Sequence, residues 1–178
     1  MQASCRARYC IPTVAKLLTD KYNDMNLYAK IAICVLVCLG LGMLSGFSTS
    51  SEISGWYSQI QKPSWNPPSW IFSPVWITLY ILMGISVALV WHSNHPNKTK
   101  ALTYFVIQFI LNLAWSFIFF KLHEIGWAFA EIFLLLVMIL MTMAAFYKVR
   151  PLASHLLIPY FLWVLFATIL NGTIWSLN

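Results

Sequence analysis

Residues 127–146 read WAFAEIFLLLVMILMTMAAF, twenty positions broken only by the acid Glu131 and the hydroxyl of Thr142. About 20 mostly apolar residues in a helix span the hydrocarbon core of a bilayer. Polar and apolar residues do not alternate along the run, as they do over segments of about ten in a transmembrane β-barrel strand. The stretch is therefore a membrane-spanning helix, extended by its flanks to about 125–147. Four more apolar runs fall at about 29–47, 71–91, 101–120 and 152–175. The expected fold class is an all-α integral membrane protein, a bundle of five transmembrane helices. Composition agrees: 60% of the 178 residues are hydrophobic and 9% are charged, against about 25% charged in a soluble domain. So few charges cannot cover a water-facing surface, which excludes a soluble enzyme and a disordered chain. The net charge of +6 reports topology rather than nucleic-acid binding.

Residues 27–178 read as one membrane domain and residues 1–26 as a separate tail. The tail carries Arg6, Arg8 and Lys16 with no acid before Asp20, and no apolar signal-peptide core precedes Ile31. It is a plain cytosolic tail, a weakly transit-like segment, or untranslated sequence ahead of a start at Met25, in which case it is not in the mature protein. Cys5 and Cys10 have no His partners and make no metal site. Cys34 and Cys38 share one face of the first span as small packing residues.

Lys and Arg outside the spans set orientation. With five spans, Arg6, Arg8, Lys16, Lys21, Lys30, Lys98, Lys100, Lys148 and Arg150 share one side, and only Lys62 and Lys121 lie opposite. This predicts the N-terminus on the cytoplasmic side and the C-terminus outside.

The first connection, Ser48 to Trp70, is long. It opens on four small polar residues and continues GWYSQIQKPSWNPPSW. A disordered linker would not carry Trp56, Trp65 and Trp70, and Pro63, Pro67 and Pro68 stiffen it. It is expected to be an ordered Trp/Pro-rich cap on the far side of the membrane, with an interfacial Trp belt as the alternative.

Placed by depth, the polar and aromatic residues of the spans gather beneath that cap. Trp76 and Tyr80 share a face of the second helix. Asn112, Trp115 and Ser116 occupy the far half of the third, and Glu131 lies about two turns into the fourth. Tyr160, Trp163, Ala167 and Asn171 form a stripe along the fifth. Exceptions in the near half are Gln108, Tyr104 and Thr142. An aromatic cavity with a few polar groups is how small-molecule pockets are built, and indole and phenol faces stack on planar ligands. Helix–helix bridging by Asn and Ser is the alternative. Glu131, an ionisable residue inside a span, is expected to face the interior, paired with a hydroxyl, an amide or a base such as Lys62. Gly42 and Gly46 permit close helix approach within the bundle or in a dimer. Pro159 is expected to kink the fifth span.

The four His fall at connections, which excludes intramembrane haem ligation and leaves no metal site. No nucleophile–base set and no phosphate loop is present.

The segments WYSQIQKPSWNPP (Trp56–Pro68), FSPVWITLYILMG (Phe72–Gly84), LNLAWSFIFF (Leu111–Phe120) and LLIPYFLWVLFATILN (Leu156–Asn171) strongly resemble the translocator protein family, also called TspO/MBR, tryptophan-rich sensory protein or peripheral-type benzodiazepine receptor. The resemblance runs from about Ile31 to the end. It implies a five-helix bundle, a homodimer, binding porphyrins, sterols and synthetic ligands under the first loop. By motif match the ligand meets Tyr57, Trp76, Asn112, Ser116, Trp163 and Ala167. Trp65 of the cap, Tyr80, Trp115, Glu131 and Asn171 complete the expected ligand-binding set. In some bacterial relatives the residues matching Trp76 and Trp163 take part in light-dependent porphyrin breakdown, so these two are the catalytic residues if that activity is present. The animal sterol motif ends in a basic residue, and here no Lys or Arg follows Arg150. A tetrapyrrole such as protoporphyrin IX is therefore expected as ligand over a sterol, with no resident cofactor. The expected function is a tetrapyrrole receptor or sensor, with a porphyrin-degrading enzyme or a transporter of tetrapyrrole or lipid as alternatives. The expected location is a bacterial cell membrane, or the mitochondrial outer membrane in a eukaryote.

Overall fold

The structure is a computed structural model that describes residues 25–178; the readings on Cys5, Cys10 and the basic residues from Arg6 to Lys21 lie outside the described residues. The described residues form helices and no strand: α1 (Leu27–Ser54), α2 (Trp56–Gln59), α3 (Phe72–His92), α4 (Lys98–Phe120), α5 (Ile125–Val149), α6 (Pro151–His155) and α7 (Ile158–Leu177). Five segments are long and apolar enough to cross a membrane, with α6 and α7 making up the fifth. The protein is a multi-pass integral membrane protein.

Around the bundle the order is α1, α3, α7, α5, α4. The α1–α3 and α4–α5 seams are the most extensive, and the α3–α7 seam is the slightest. The core runs through the middle of this ring, where Met83, Phe105, Ile139, Phe146 and Tyr160 are fully or almost fully buried. Lys30, Lys98, Lys100, Lys148 and Arg150 stand at one end of the bundle; Lys62 and Lys121 stand at the other.

Helix α1 starts on Asn26, whose side chain accepts a hydrogen bond from the Ala29 amide at 2.8 Å, a standard N-cap. It runs seven residues past Phe47, where the sequence placed its end. The hydroxyls that looked like a loop opening turn back on their own helix. Ser48 and Thr49 donate to the Ser45 carbonyl, and Ser50 to that of Phe47. Such i−3 and i−4 bonds let Ser and Thr remain helical. At 1.5 Å per residue the 28-residue helix is about 42 Å long, so its last turns rise beyond a hydrocarbon core of about 30 Å.

The expected kink at Pro159 is a break instead. Helix α6 ends at His155 and α7 begins at Ile158, with Pro159 in the first turn of α7. A proline there gives up no hydrogen bond, because first-turn amides have no intrahelical partner. The break frees carbonyls inside the bundle. Ser86 of α3 donates to that of Ala153 at 2.6 Å, fully buried, so the backbone stays satisfied at a depth where water cannot serve it.

The two glycines singled out in α1 behave differently. Gly42 is buried against Tyr80, whereas Gly46 has open space around its Cα. The close helix approach is made by Gly42 and by Gly84 of α3, which lies against the Val35 backbone.

Candidate functional site

The first loop is an ordered cap. Short helix α2 and a single 3-10 turn (Ser69–Ile71) frame it. Tyr57, 9% exposed, donates its hydroxyl to Asn66 Oδ1 at 2.9 Å. Lys62 closes the end of α2: its ammonium donates to the Tyr57, Ser58 and Ile60 carbonyls and lies 4.8 Å from the centre of the Tyr57 ring. Cations satisfy helix C-terminal carbonyls in this way. Burial pushes the Tyr57 phenol above its ordinary range, partly offset by the Asn66 hydrogen bond.

The cap is tied down at two points. In its middle the Gln61 amide donates to Asn178 Oδ1, and Asn178 Nδ2 donates back to the Gln61 carbonyl, each at 3.0 Å. Near its start, Glu52 pairs with Lys121 at 3.2 Å and with His123 at 3.3 Å. Trp56 stacks on the His123 ring, centroids 4.3 Å apart. His123 has φ 57°, a left-handed turn conformation that side-chain contacts of this kind hold in place.

Beneath the cap the aromatic residues meet one another. Trp76 stacks on Tyr80 at 5.4 Å and faces the edge of Tyr160 at 6.4 Å. Trp163 touches Phe72 and Phe166, at 5.9 and 5.6 Å, and Phe166 reaches Trp65 of the cap at 5.9 Å. Trp115 stacks on Phe119, which also touches Tyr57. Rings from α3, α4 and α7 thus connect the cap to the core. Ser116 and Ala167 are half-buried among them.

Two hydrogen bonds cross the centre. Tyr80 donates to Asn112 Oδ1 at 3.0 Å, and Tyr160 donates to Gln108 Oε1 at 2.8 Å. Gln108 and Tyr160 join the site although the ligand-binding expectation did not include them. The available signal was spacing: Gln108 stands one turn from Asn112 on the same face of α4. Phe72, Phe119 and Phe166 were missed because a Phe in an apolar span carries no distinguishing pattern.

Some buried polar atoms have no partner among the described residues: Trp115 Nε1, both polar atoms of the Asn171 side chain, and both oxygens of Glu131. Asn171 is 2% exposed. Gln108 Nε2, nearer the middle of the bundle, is likewise unpaired, and unpaired buried groups cost about 1–3 kcal/mol each. Trp115, Glu131 and Asn171 each lie five or six residues from the capped end of their helices, about 8–9 Å deep. The expected pairing of Glu131 with Lys62 does not occur, because Lys62 is committed to cap carbonyls. Glu131 lies on the flank of α5 that faces α4; its apolar stem borders a groove on the outside of the bundle, while both carboxyl oxygens are buried. A second outer groove, about 530 Å³, follows the α3–α7 seam and includes Trp163.

Among the described residues no cluster of three or more His, Cys, Asp or Glu could hold a metal ion. The TspO/MBR family profile matches residues 34–176. A tryptophan-rich protein TspO from Chlorobaculum tepidum is 43% identical over 152 residues, covering 83% of this chain and 95% of that protein. The human translocator protein is 43% identical over 126 residues, 69% of this chain and 75% of its own. A tryptophan-rich sensory protein from Cereibacter sphaeroides is 32% identical over 123 residues, 69% of this chain and 77% of its own. Matched along most of its length and across the capped bundle, the chain belongs to the TspO/MBR family.

Proposed function

We propose that this protein is a membrane receptor or sensor that binds porphyrin-like tetrapyrroles between its helices, beneath the cap. The supporting observation is the convergence of flat rings and unpaired polar atoms under a loop pinned at two points. Tyr57 and Trp65 come from the cap, Trp76 and Tyr80 from α3, Trp115 and Ser116 from α4, and Trp163 and Ala167 from α7. Their faces offer stacking area to a planar macrocycle. The unpaired Asn171 amide and Trp115 N–H offer polar groups that fix its orientation. In the same proposal the basic end of the bundle faces the cytoplasm, and the exposed outer face of α1 meets lipid or the second copy of a homodimer.

The test is a titration with protoporphyrin IX in the dark, read by Trp emission. Saturable quenching is expected, weakened about tenfold by Asn171→Ala, the equivalent of about 1.4 kcal/mol. Quenching that rises linearly without saturation overturns the proposal. A porphyrin-degrading activity is the second reading, favoured by the presence of both Trp76 and Trp163 in the same packed cluster. Illumination of the bound complex tests it: loss of the porphyrin absorption that requires Trp163 supports breakdown, and an unchanged spectrum removes it.

A further inference from the structure

Glu52, in the last turn of α1, gives one carboxylate oxygen to each of two partners. Oε1 accepts from Lys121 at 3.2 Å, and Oε2 meets His123 Nε2 at 3.3 Å. Both partners belong to the short connection between α4 and α5. The face of the His123 ring lies on Trp56, the first residue of α2, with planes 16° apart. Trp56 in turn meets the edge of Phe119 at 5.5 Å, and Phe119 stacks on Trp115 at 5.1 Å beneath the cap. His123 therefore joins three elements: the end of α1, the start of the cap and the α4–α5 connection.

Its two contacts answer to charge differently from those around it. Lys121 stays charged to about pH 10, whereas a histidine changes charge between about pH 5 and 8. Protonated, the His123 ring adds a second ion pair to Glu52 and lays a cation on an indole face. Neutral, it keeps only a hydrogen bond and the stacking. The other titratable groups on the packed elements are Tyr57, which donates to Asn66, Lys62, which holds cap carbonyls, and the exposed Glu124. His92, His95 and His155 stand at the opposite end of the bundle. Among the described residues His123 is thus the one histidine at the capped end.

We propose that His123 is a proton-operated latch on the cap. Protonation on the capped side of the membrane binds Glu52 and Trp56 to the α4–α5 connection and holds the start of the cap down. Loss of the proton loosens that hold. The cap does not lift away, because Lys121 keeps Glu52 and the Gln61–Asn178 bonds keep the middle attached. The contribution is whole at about pH 5 and declines toward about pH 8. Proton-controlled entry to the aromatic site is the consequence, and it rests on the tetrapyrrole reading; the latch itself does not.

The test is hydrogen exchange on the full chain in phosphatidylcholine nanodiscs at about pH 5.5 and about pH 8. Protection in residues 52–60 is taken relative to intrinsic exchange rates, and no ligand is added, so failure of the tetrapyrrole reading does not affect the result. Protection is expected to be about fivefold lower at the higher pH, the combined effect of an exposed ion pair and a cation–π contact. His123→Asn is expected to abolish the difference: Asn tolerates the left-handed backbone and still hydrogen-bonds, but does not titrate. Glu52→Gln, which leaves only the indole contact sensitive to the proton, is expected to show a smaller difference than the wild type. Equal protection at both pH values in the wild type, or the full difference persisting in either variant, would overturn the proposal.

Discussion

Gly42→Ala tests whether the first helix positions the aromatic site. A Cβ added at Gly42 would stand 2.5 and 2.6 Å from two Tyr80 ring carbons and closer still to a third, where ordinary contact is 3.4–4 Å. The ring must move by about 1 Å or more. It is confined by Trp76 stacked on one side and the edge of Phe109, 6.1 Å away, on another. Its hydroxyl bond to Asn112 is already 3.0 Å long, so a displacement of that size breaks it. Overpacking costs about 1–3 kcal/mol, and the buried Asn112 oxygen left unpaired adds about 1–3 kcal/mol. The helix gains up to about 1 kcal/mol from losing a glycine. Gly40→Ala has the same gain with nothing within 4 Å of the new Cβ, so it is the reference. Gly42→Ala is expected to lie about 2–6 kcal/mol below Gly40→Ala in reversible unfolding from mixed micelles. In a Tyr80→Phe background the gap should shrink by about 1 kcal/mol or more, because the hydrogen bond is already gone. Equal stabilities for Gly42→Ala and Gly40→Ala would refute the reasoning.

Gly84→Ala should also destabilise, by about 1–3 kcal/mol, because its Cβ would stand 2.5 Å from Val35 Cα, and a backbone cannot rotate aside; thermal unfolding in detergent measures it. Tyr57 gives a pH dependence. Its raised phenol pKa means that the folded chain keeps a proton the unfolded one has lost, so its contribution is whole below the unfolded value of about 10 and declines as pH rises above it. Protection of the amides in residues 56–66, taken relative to their base-catalysed intrinsic exchange rates, is expected to fall above about pH 10, and Tyr57→Phe should remove that fall. Asn178→Ala deletes both bonds to Gln61; stopped-flow porphyrin binding should show faster entry and release with little change in affinity.

Run lengths of apolar residues were enough to read five spans, since hydrocarbon thickness fixes how many such residues a helix needs. The ordered cap was legible because three Trp and three Pro in a short loop cannot remain solvated and unstructured. The depth of Trp76, Asn112, Trp163 and Asn171 followed from counting along antiparallel spans, and the structure brings their helices around one centre. The extent of α1 was not legible, because a run of Ser and Thr suits a loop and a helix end equally until their hydroxyls choose a carbonyl.

Sequence alone settled the class, the number of spans and the end of the bundle where the aromatic and polar groups gather, because bilayer thickness, charge exclusion and helix periodicity act along the chain. Tertiary structure decided which groups spend their hydrogen bonds on each other. Tyr80 found Asn112, Tyr160 found Gln108, and Lys62 turned to the cap rather than to Glu131. Such pairings depend on how five helices rotate and tilt against one another, and no local rule of sequence carries that information.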